Sequence, residues 1–280
     1  MNPDEERATV TAELTDHETP DQSESGDAAA SPDQGPPAWL AALRAELDPH
    51  SKRRLEALEP KPDWRCLEIG AGSGSIARWL AERCPSGKVV ATDIELSSLG
   101  EAGVPNLEIV RHDVTTDDFP EGSFDLIYAR YVFSHLRSRE SDLARVASWL
   151  APGGWLLLEE PAKFPIESAR DAAYREVSLA TLEIYKEQVG TDLDWPRSFP
   201  APLVELGLED IGMDGSLSVV GGNRAMGLFW GEAIKGWGPT VVAAGKATEE
   251  QIEQAAGRMY QDDFWDLGLA TAAAWGRRPA

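Results

Sequence analysis

Apolar positions along the chain follow two alternating rhythms. The runs "RCLEIG" (Arg65–Gly70), "KVVATDI" (Lys88–Ile94), "LEIVRHDV" (Leu107–Val114), "FDLIYAR" (Phe124–Arg130) and "GWLLLEE" (Gly154–Glu160) have the length and side-chain type of buried strands. Between them, apolar residues recur at helical spacing. Ile76, Ala77 and Leu80 follow the first run and end near Cys84 and Pro85, while Leu143, Val146, Ala147 and Leu150 precede the fifth, with Ser138 as the helix cap. Continuous apolar strands alternating with helices predict a parallel sheet covered on both faces.

Upstream, Leu40, Leu43, Leu47, Leu55 and Leu58 predict one or two leading helices stopped by Pro60 and Pro62. Beyond Pro161 the spacing changes. A helical pattern runs from about Ile166 to Gln188 and is broken by "DWPRSFP"; "APLVELGLEDIGMDGSLSVV" then reads as a helix followed by a sixth strand around Leu208–Val220. A second block, about 222–262, is helical or irregular, and "LATAAAWGRR" reads as a closing strand. Two helical insertions, about 162–194 and 222–262, thus flank the last strands.

Composition sets the boundaries. Residues 1–36 hold ten Asp or Glu against the single Arg7 and almost no large apolar residue, so this segment reads as a disordered acidic tail. Residues 37–280 form one domain. The whole chain of 280 residues carries a net charge of −22, which disfavours nucleic-acid and anionic membrane partners. Neither a membrane-spanning run nor a signal peptide is legible, so a cytoplasmic location is expected. Cys66 and Cys84 read as free buried thiols, and the scattered histidines suggest no metal site.

The chemistry concentrates in "CLEIGAGSGSIARWL", where Gly70, Gly72 and Gly74 stand at alternate positions between the first strand and its helix. Three residues without Cβ in one turn permit positive φ and close approach of a ligand to the main chain. A structural turn usually needs one. Glu68 precedes the run by two positions, which differs from the G-x-G-x-x-G/A spacing of a nicotinamide loop, whose third small position falls here on Ser75.

The order of "LEIGAGSGSIARWL", "VVATDI", "RHDV", "FDLIYAR" and "LAPGGWLLLEE" resembles the class I S-adenosylmethionine-dependent methyltransferases, densely over about Trp64–Pro161. The resemblance implies an α/β, Rossmann-like, seven-stranded and mostly parallel sheet with an antiparallel last strand, helices on both faces and helical cap insertions. It implies S-adenosylmethionine as cofactor and S-adenosylhomocysteine as product. Gly70, Ala71 and Gly72 would cradle the methionine part and Glu68 would face its positive charge. Asp93 would accept the ribose hydroxyls and Ile94 would pack on the purine. His112, Asp113 and Val114 would border the adenine, and the Ala129 carbonyl would meet the cofactor ammonium. Arg53 and Arg54 could bind the cofactor carboxylate, although as neighbours in a charged helix such side chains are more often solvated.

For catalysis, His135 after the fourth strand and Glu160 after the fifth are the candidate bases. Strand alternation sends only one of Glu159 and Glu160 towards the cleft. Arg130, Tyr131, Tyr174 and Trp230 are the candidate acceptor contacts, and the aromatic content of the insertions favours an aromatic or indole-bearing small molecule methylated on oxygen, nitrogen or carbon. The expected partner is therefore a small-molecule substrate, with the protein a monomer or homodimer. Two alternatives stand beside this reading: an NAD(P)-dependent oxidoreductase, and an S-adenosylmethionine-binding protein that transfers no methyl group.

Overall fold

The five apolar runs become parallel strands: β1 (Arg65–Ile69), β2 (Lys88–Asp93), β3 (Leu107–Arg111), β4 (Phe124–Arg130) and β5 (Leu150–Ala162). The computed structural model describes residues 38–100, 102–222 and 224–280. The expected acidic tail, 1–36, lies outside them. β6 (Glu209–Gly221) and β7 (Trp265–Arg277) complete a seven-stranded sheet of order β3-β2-β1-β4-β5-β7-β6. β7 runs antiparallel to both of its neighbours, so the last strand in the chain alone is reversed.

Helices cover both faces, and the strands divide their side chains between them. On one face α1 (Ala38–Ala57) and α2 (Ser75–Arg83) bury Leu55, Ile76 and Leu80 against Cys66, Val89, Tyr128 and Leu157. On the other, α3 (Arg139–Ser148) and the short α6 (Ala201–Glu205) bring Leu143, Val146 and Leu203 onto Leu67, Ile127, Leu156 and Leu158. The insertions form a cap with its own core: α4 (Phe164–Glu167), α5 (Ala172–Gln188), α7 (Ala225–Ala243) and α8 (Glu249–Arg258) pack Tyr174, Trp230, Ile234 and Met259 together.

Several local expectations are corrected. The helical pattern from Ile166 breaks into α4 and α5, because Asp171 accepts from the Tyr174 amide and starts a new helix. Ser138 stands at the N-terminus of α3 but caps no amide; its hydroxyl donates to Asp142 at 2.6 Å. Cys66 and Cys84 are, as expected, free and buried thiols, with Sγ atoms 3.8 Å apart.

The leading segment is one helix, and its buried face is not the leucine stripe alone. Asp48, Ser51 and Arg54 share the inward side with Leu47 and Leu55. The Arg54 guanidinium donates to Glu159 at 2.8 Å and to Asp214 at 3.1 Å, and the Ser51 hydroxyl donates to Glu159 at 2.5 Å. Asp48 accepts from Arg130 at 3.0 Å and from Ser75, the first residue of α2, at 3.1 Å. These bonds tie α1 across the carboxyl ends of β4 and β5. Arg53 stays exposed and pairs with Asp214 at 3.5 Å. Removing one partner of a buried ion pair leaves the other charge uncompensated, whereas exposed pairs contribute little. Arg54→Ala is therefore expected to cost about 3–5 kcal/mol of unfolding free energy, and Arg53→Ala under about 1 kcal/mol, as read by urea denaturation.

Candidate active site

The strand order reverses between β1 and β4, and open α/β sheets bind ligands outside the carboxyl ends of strands at that point. The three-glycine turn sits there. Gly70, Gly72 and Gly74 have φ of 66°, 54° and 69°, which side chains rarely tolerate. A Cβ on Gly70 would stand 2.4 Å from Val132 Cγ2, so the turn also passes hard against the chain leaving β4. The turn is pinned at its centre: the Gly72 amide donates to Asp93 Oδ2 at 2.8 Å, and the Ala71 amide to the Thr92 carbonyl at 2.9 Å.

Asp93 ends β2 and is half-buried, and its Oδ1 accepts from the Glu95 amide at 3.2 Å. Burial raises its carboxyl above the usual range while those amides oppose the shift. Ile94 follows it, 61% exposed at the rim of the crevice. Asp113 accepts from the amide and hydroxyl of Thr115 at 2.9 and 2.7 Å, which hold its carboxyl below the usual range and build a local turn. The His112 amide donates to the Asp93 carbonyl at 3.0 Å, but its buried ring stacks on Phe119 at 4.6 Å and meets Trp149 edge-on. Only its main chain is left for the crevice. Val114 is buried in the same cluster as Phe124 and Leu143, and Ala129 is fully buried between β1 and β5.

Glu68 lies beneath the glycine turn, 3% exposed, and its Oε2 has no hydrogen-bond partner. Burial pushes its carboxyl up to about 8, against the opposing effects of the Arg130 charge and the Ala77 amide.

Glu159 and Glu160 are both fully buried on β5, which corrects the expectation that one of them opens into the cleft. Alternation sends them to opposite faces. Glu159 takes Ser51, Arg54 and Tyr128, the last at 2.8 Å. Glu160 Oε1 accepts from the amides of Val132 and Phe133 at 3.2 and 2.8 Å, and its Oε2 from the amide of Ser134 at 3.1 Å. Tyr131 makes this possible by adopting φ 59°, a left-handed conformation costly for a tyrosine, which turns the chain so that successive amides converge on one carboxyl. Glu160 is thus an anchor for the turn after β4, fully buried with both oxygens accepting main-chain amides. Burial raises its carboxyl to about 7.

That turn, Phe133–His135, carries the other candidate base. His135 Nδ1 lies 2.9 Å from the Thr191 hydroxyl, and burial together with the Arg139 charge lowers its pKa to about 4. It is a neutral ring at physiological pH.

The acceptor candidates divide. Tyr131 is half-buried, with its hydroxyl 2.8 Å from Thr271. Arg130 is drawn inward by Asp48 and Ser51, both at 3.0 Å, and its guanidinium is held firmly protonated by the surrounding anionic groups, so α1 rather than an acceptor engages it. Tyr174 and Trp230 are buried in the cap core; Tyr174 donates to the Leu267 carbonyl at 3.0 Å and Trp230 to the Ser178 hydroxyl at 2.8 Å. They pack the cap because each ring can bury its body while its polar end finds a donor or acceptor partner inside. Tyr185 and Trp237 remain half-buried, with rings 4.6 Å apart, and Tyr185 meets the His135 ring at 6.2 Å.

One open cavity lies away from this crevice and another reaches Thr191, the partner of His135. The first, about 310 Å³, covers the feet of β1–β4 beside Arg65, Lys88 and Phe124; the second, about 360 Å³, lies against α5 beside Lys163, Leu182 and Thr191. Among the described residues no cluster with metal-ligating composition occurs, and no helix is long and apolar enough to cross a membrane.

The family model described as "Methyltransferase domain" matches residues 39–196. The chain belongs to this family, the class I S-adenosylmethionine-dependent methyltransferases. It is 34% identical over 113 residues to methyltransferase str3 of Strobilurus tenacellus, covering 40% of this chain and 39% of that protein. The chain spans only part of the curated relatives it matches, well under two thirds of their length. Among solved structures, a methyltransferase of Bacillus halodurans superimposes with a TM-score of 0.53 at 18% identity, over 82% of this chain and 98% of that one. Phosphoethanolamine N-methyltransferase 2 of Haemonchus contortus, in complex with phosphomonomethylethanolamine and S-adenosylhomocysteine, gives 0.51 at 17% identity, over 86% and 52%. Both likenesses concern the fold.

A carboxyl that is harder to ionise in the folded chain than in the unfolded one favours folding fully below its ordinary range, and that contribution is lost as pH rises through its folded pKa. Glu160 and Glu68 titrate at about 7 and about 8. The thermal midpoint of the ligand-free protein is thus expected to fall from about pH 5 to about pH 8 and to level off above it. Glu68→Gln should flatten the upper part of that decline in a pH series of thermal melts.

Proposed function

We propose that the chain transfers a methyl group from S-adenosylmethionine to a small organic molecule. The observation that carries this reading is Glu68: a fully buried carboxyl with an unpartnered oxygen, set under a left-handed glycine turn at the switch point. The residues around it fit the cofactor. The bare main chain of Gly70–Gly74 leaves room for the amino-acid portion, and Asp93, already fixed by the Gly72 amide, presents its carboxylate to the ribose hydroxyls. Ile94 offers an exposed apolar surface to the purine, and the turn at Asp113–Val114 borders its edge.

When bound, the cofactor supplies a methyl carbon activated by positive sulfur. The chain's task is then to hold the acceptor atom in line and exclude water, a positioning effect that can lower the barrier by several kcal/mol or more. The turn after β4, locked by Glu160, places His135 beside the cap. A neutral imidazole with a pKa near 4 is a weak base, so His135 orients through its contact with Thr191, and an electron-rich acceptor needing little deprotonation suits the site. The half-buried Tyr185 and Trp237 rings next to His135 favour an aromatic or indole-bearing acceptor. Turnover of aliphatic acids or alcohols alone across an acceptor panel would remove that finer assignment.

Calorimetric titration with S-adenosylhomocysteine tests the cofactor site directly. Hydrogen bonds to a charged group contribute about 1.5–3 kcal/mol, so Asp93→Ala is expected to weaken binding at least about tenfold. Unchanged affinity would contradict the ribose assignment.

A further inference from the structure

The charges buried at the carboxyl ends of β1, β4 and β5 do not balance if every carboxyl is ionised. Arg54 and Arg130 are the cations, and they are already engaged by Glu159, Asp214 and Asp48. Glu68 is the remaining carboxyl. The groups acting on it are Arg130 from β4, the Ala77 amide from α2, and, with the wrong sign, Asp48 from α1 and Asp93 from β2. Tyr128, beside it on β4, donates to Glu159 instead. Glu160 lies on the other face, bound by the amides after β4. Among the described residues no cation is left over for Glu68, and one of its oxygens meets no donor.

Resting on the cofactor reading above, we propose that Glu68 is a proton-releasing ligand: it is a neutral carboxylic acid in the free protein and becomes a carboxylate when the cofactor's amino-acid portion brings an ammonium group into the crevice. The O–H bond of the Glu68 carboxyl breaks, its electron pair stays on the oxygen, and the proton passes to solvent. The incoming ammonium is the counter-ion that the fold withholds. Its direction agrees with the rise of the Glu68 carboxyl to about 8. The device makes the pocket respond to the charged amino-acid end of the nucleoside, beyond its adenosine part, because a buried carboxyl left ionised without a partner is disfavoured and a neutral one forms no ion pair.

The test is calorimetric titration of the intact chain with S-adenosylhomocysteine in buffers of different ionisation enthalpy, at fixed pH from 6 to 9. Roughly one proton is expected to be released per ligand below about pH 7, declining towards zero at pH 9, with affinity rising roughly tenfold per pH unit up to about 8. Adenosine, which lacks the ammonium, should bind without proton exchange. Glu68→Gln should abolish the release and flatten the pH dependence for S-adenosylhomocysteine. Binding of S-adenosylhomocysteine with no proton release, or equal release with adenosine, overturns the proposal and leaves the cofactor site standing; no binding at any pH overturns both. The wild-type comparison of the two ligands decides the matter even if the variant fails to fold.

Discussion

Three carboxyls are buried where β1 and β5 end, and the surrounding structure is organised by how each one is accommodated. An ionised group out of water needs a counter-charge or converging donors, and burial without either shifts it towards neutrality. Glu159 receives the Arg54 guanidinium and two hydroxyls. Glu160 receives three main-chain amides. Glu68 receives neither in full.

Each solution fixes a different part of the crevice. Glu159 draws α1 over the carboxyl ends of β4 and β5, and the same helix reaches the start of α2 through Asp48 and Ser75. Glu160 gathers the chain leaving β4 into the short turn that carries His135, at the expense of a left-handed Tyr131. The glycine turn above Glu68 is held from the side by Asp93. Walls, roof and floor are therefore set by polar bonds, while the apolar strands beneath supply the rigid platform on which small displacements of those bonds would be felt.

The cap adds a second level of organisation. Its core is separate from those on the two sheet faces, and it consumes Tyr174 and Trp230 as packing. Tyr185, Trp237, Phe229 and Tyr260 stay half-covered, and of these Tyr185 meets the His135 ring. An aromatic-rich insertion can look like a binding surface in sequence.

The order of the first five strands, the helices between them and the glycine turn with Glu68 and Asp93 follow from local periodicity, turn chemistry and spacing, which neighbouring residues suffice to set. The reversal of the last strand was legible only through the family resemblance, because strand direction depends on which edge the returning chain meets. Tertiary structure alone decided the destinations of the buried polar side chains. Asp48, Ser51 and Arg54 stood on the leucine side of α1, a pattern that signals buried polar partners, yet their partners Glu159, Arg130 and Asp214 lie 82 to 160 residues away. Alternation separated Glu159 from Glu160 but could not show that both faces are closed there. A hydrogen bond or ion pair is specified by which elements the fold stacks together, and no periodicity along the chain records that meeting.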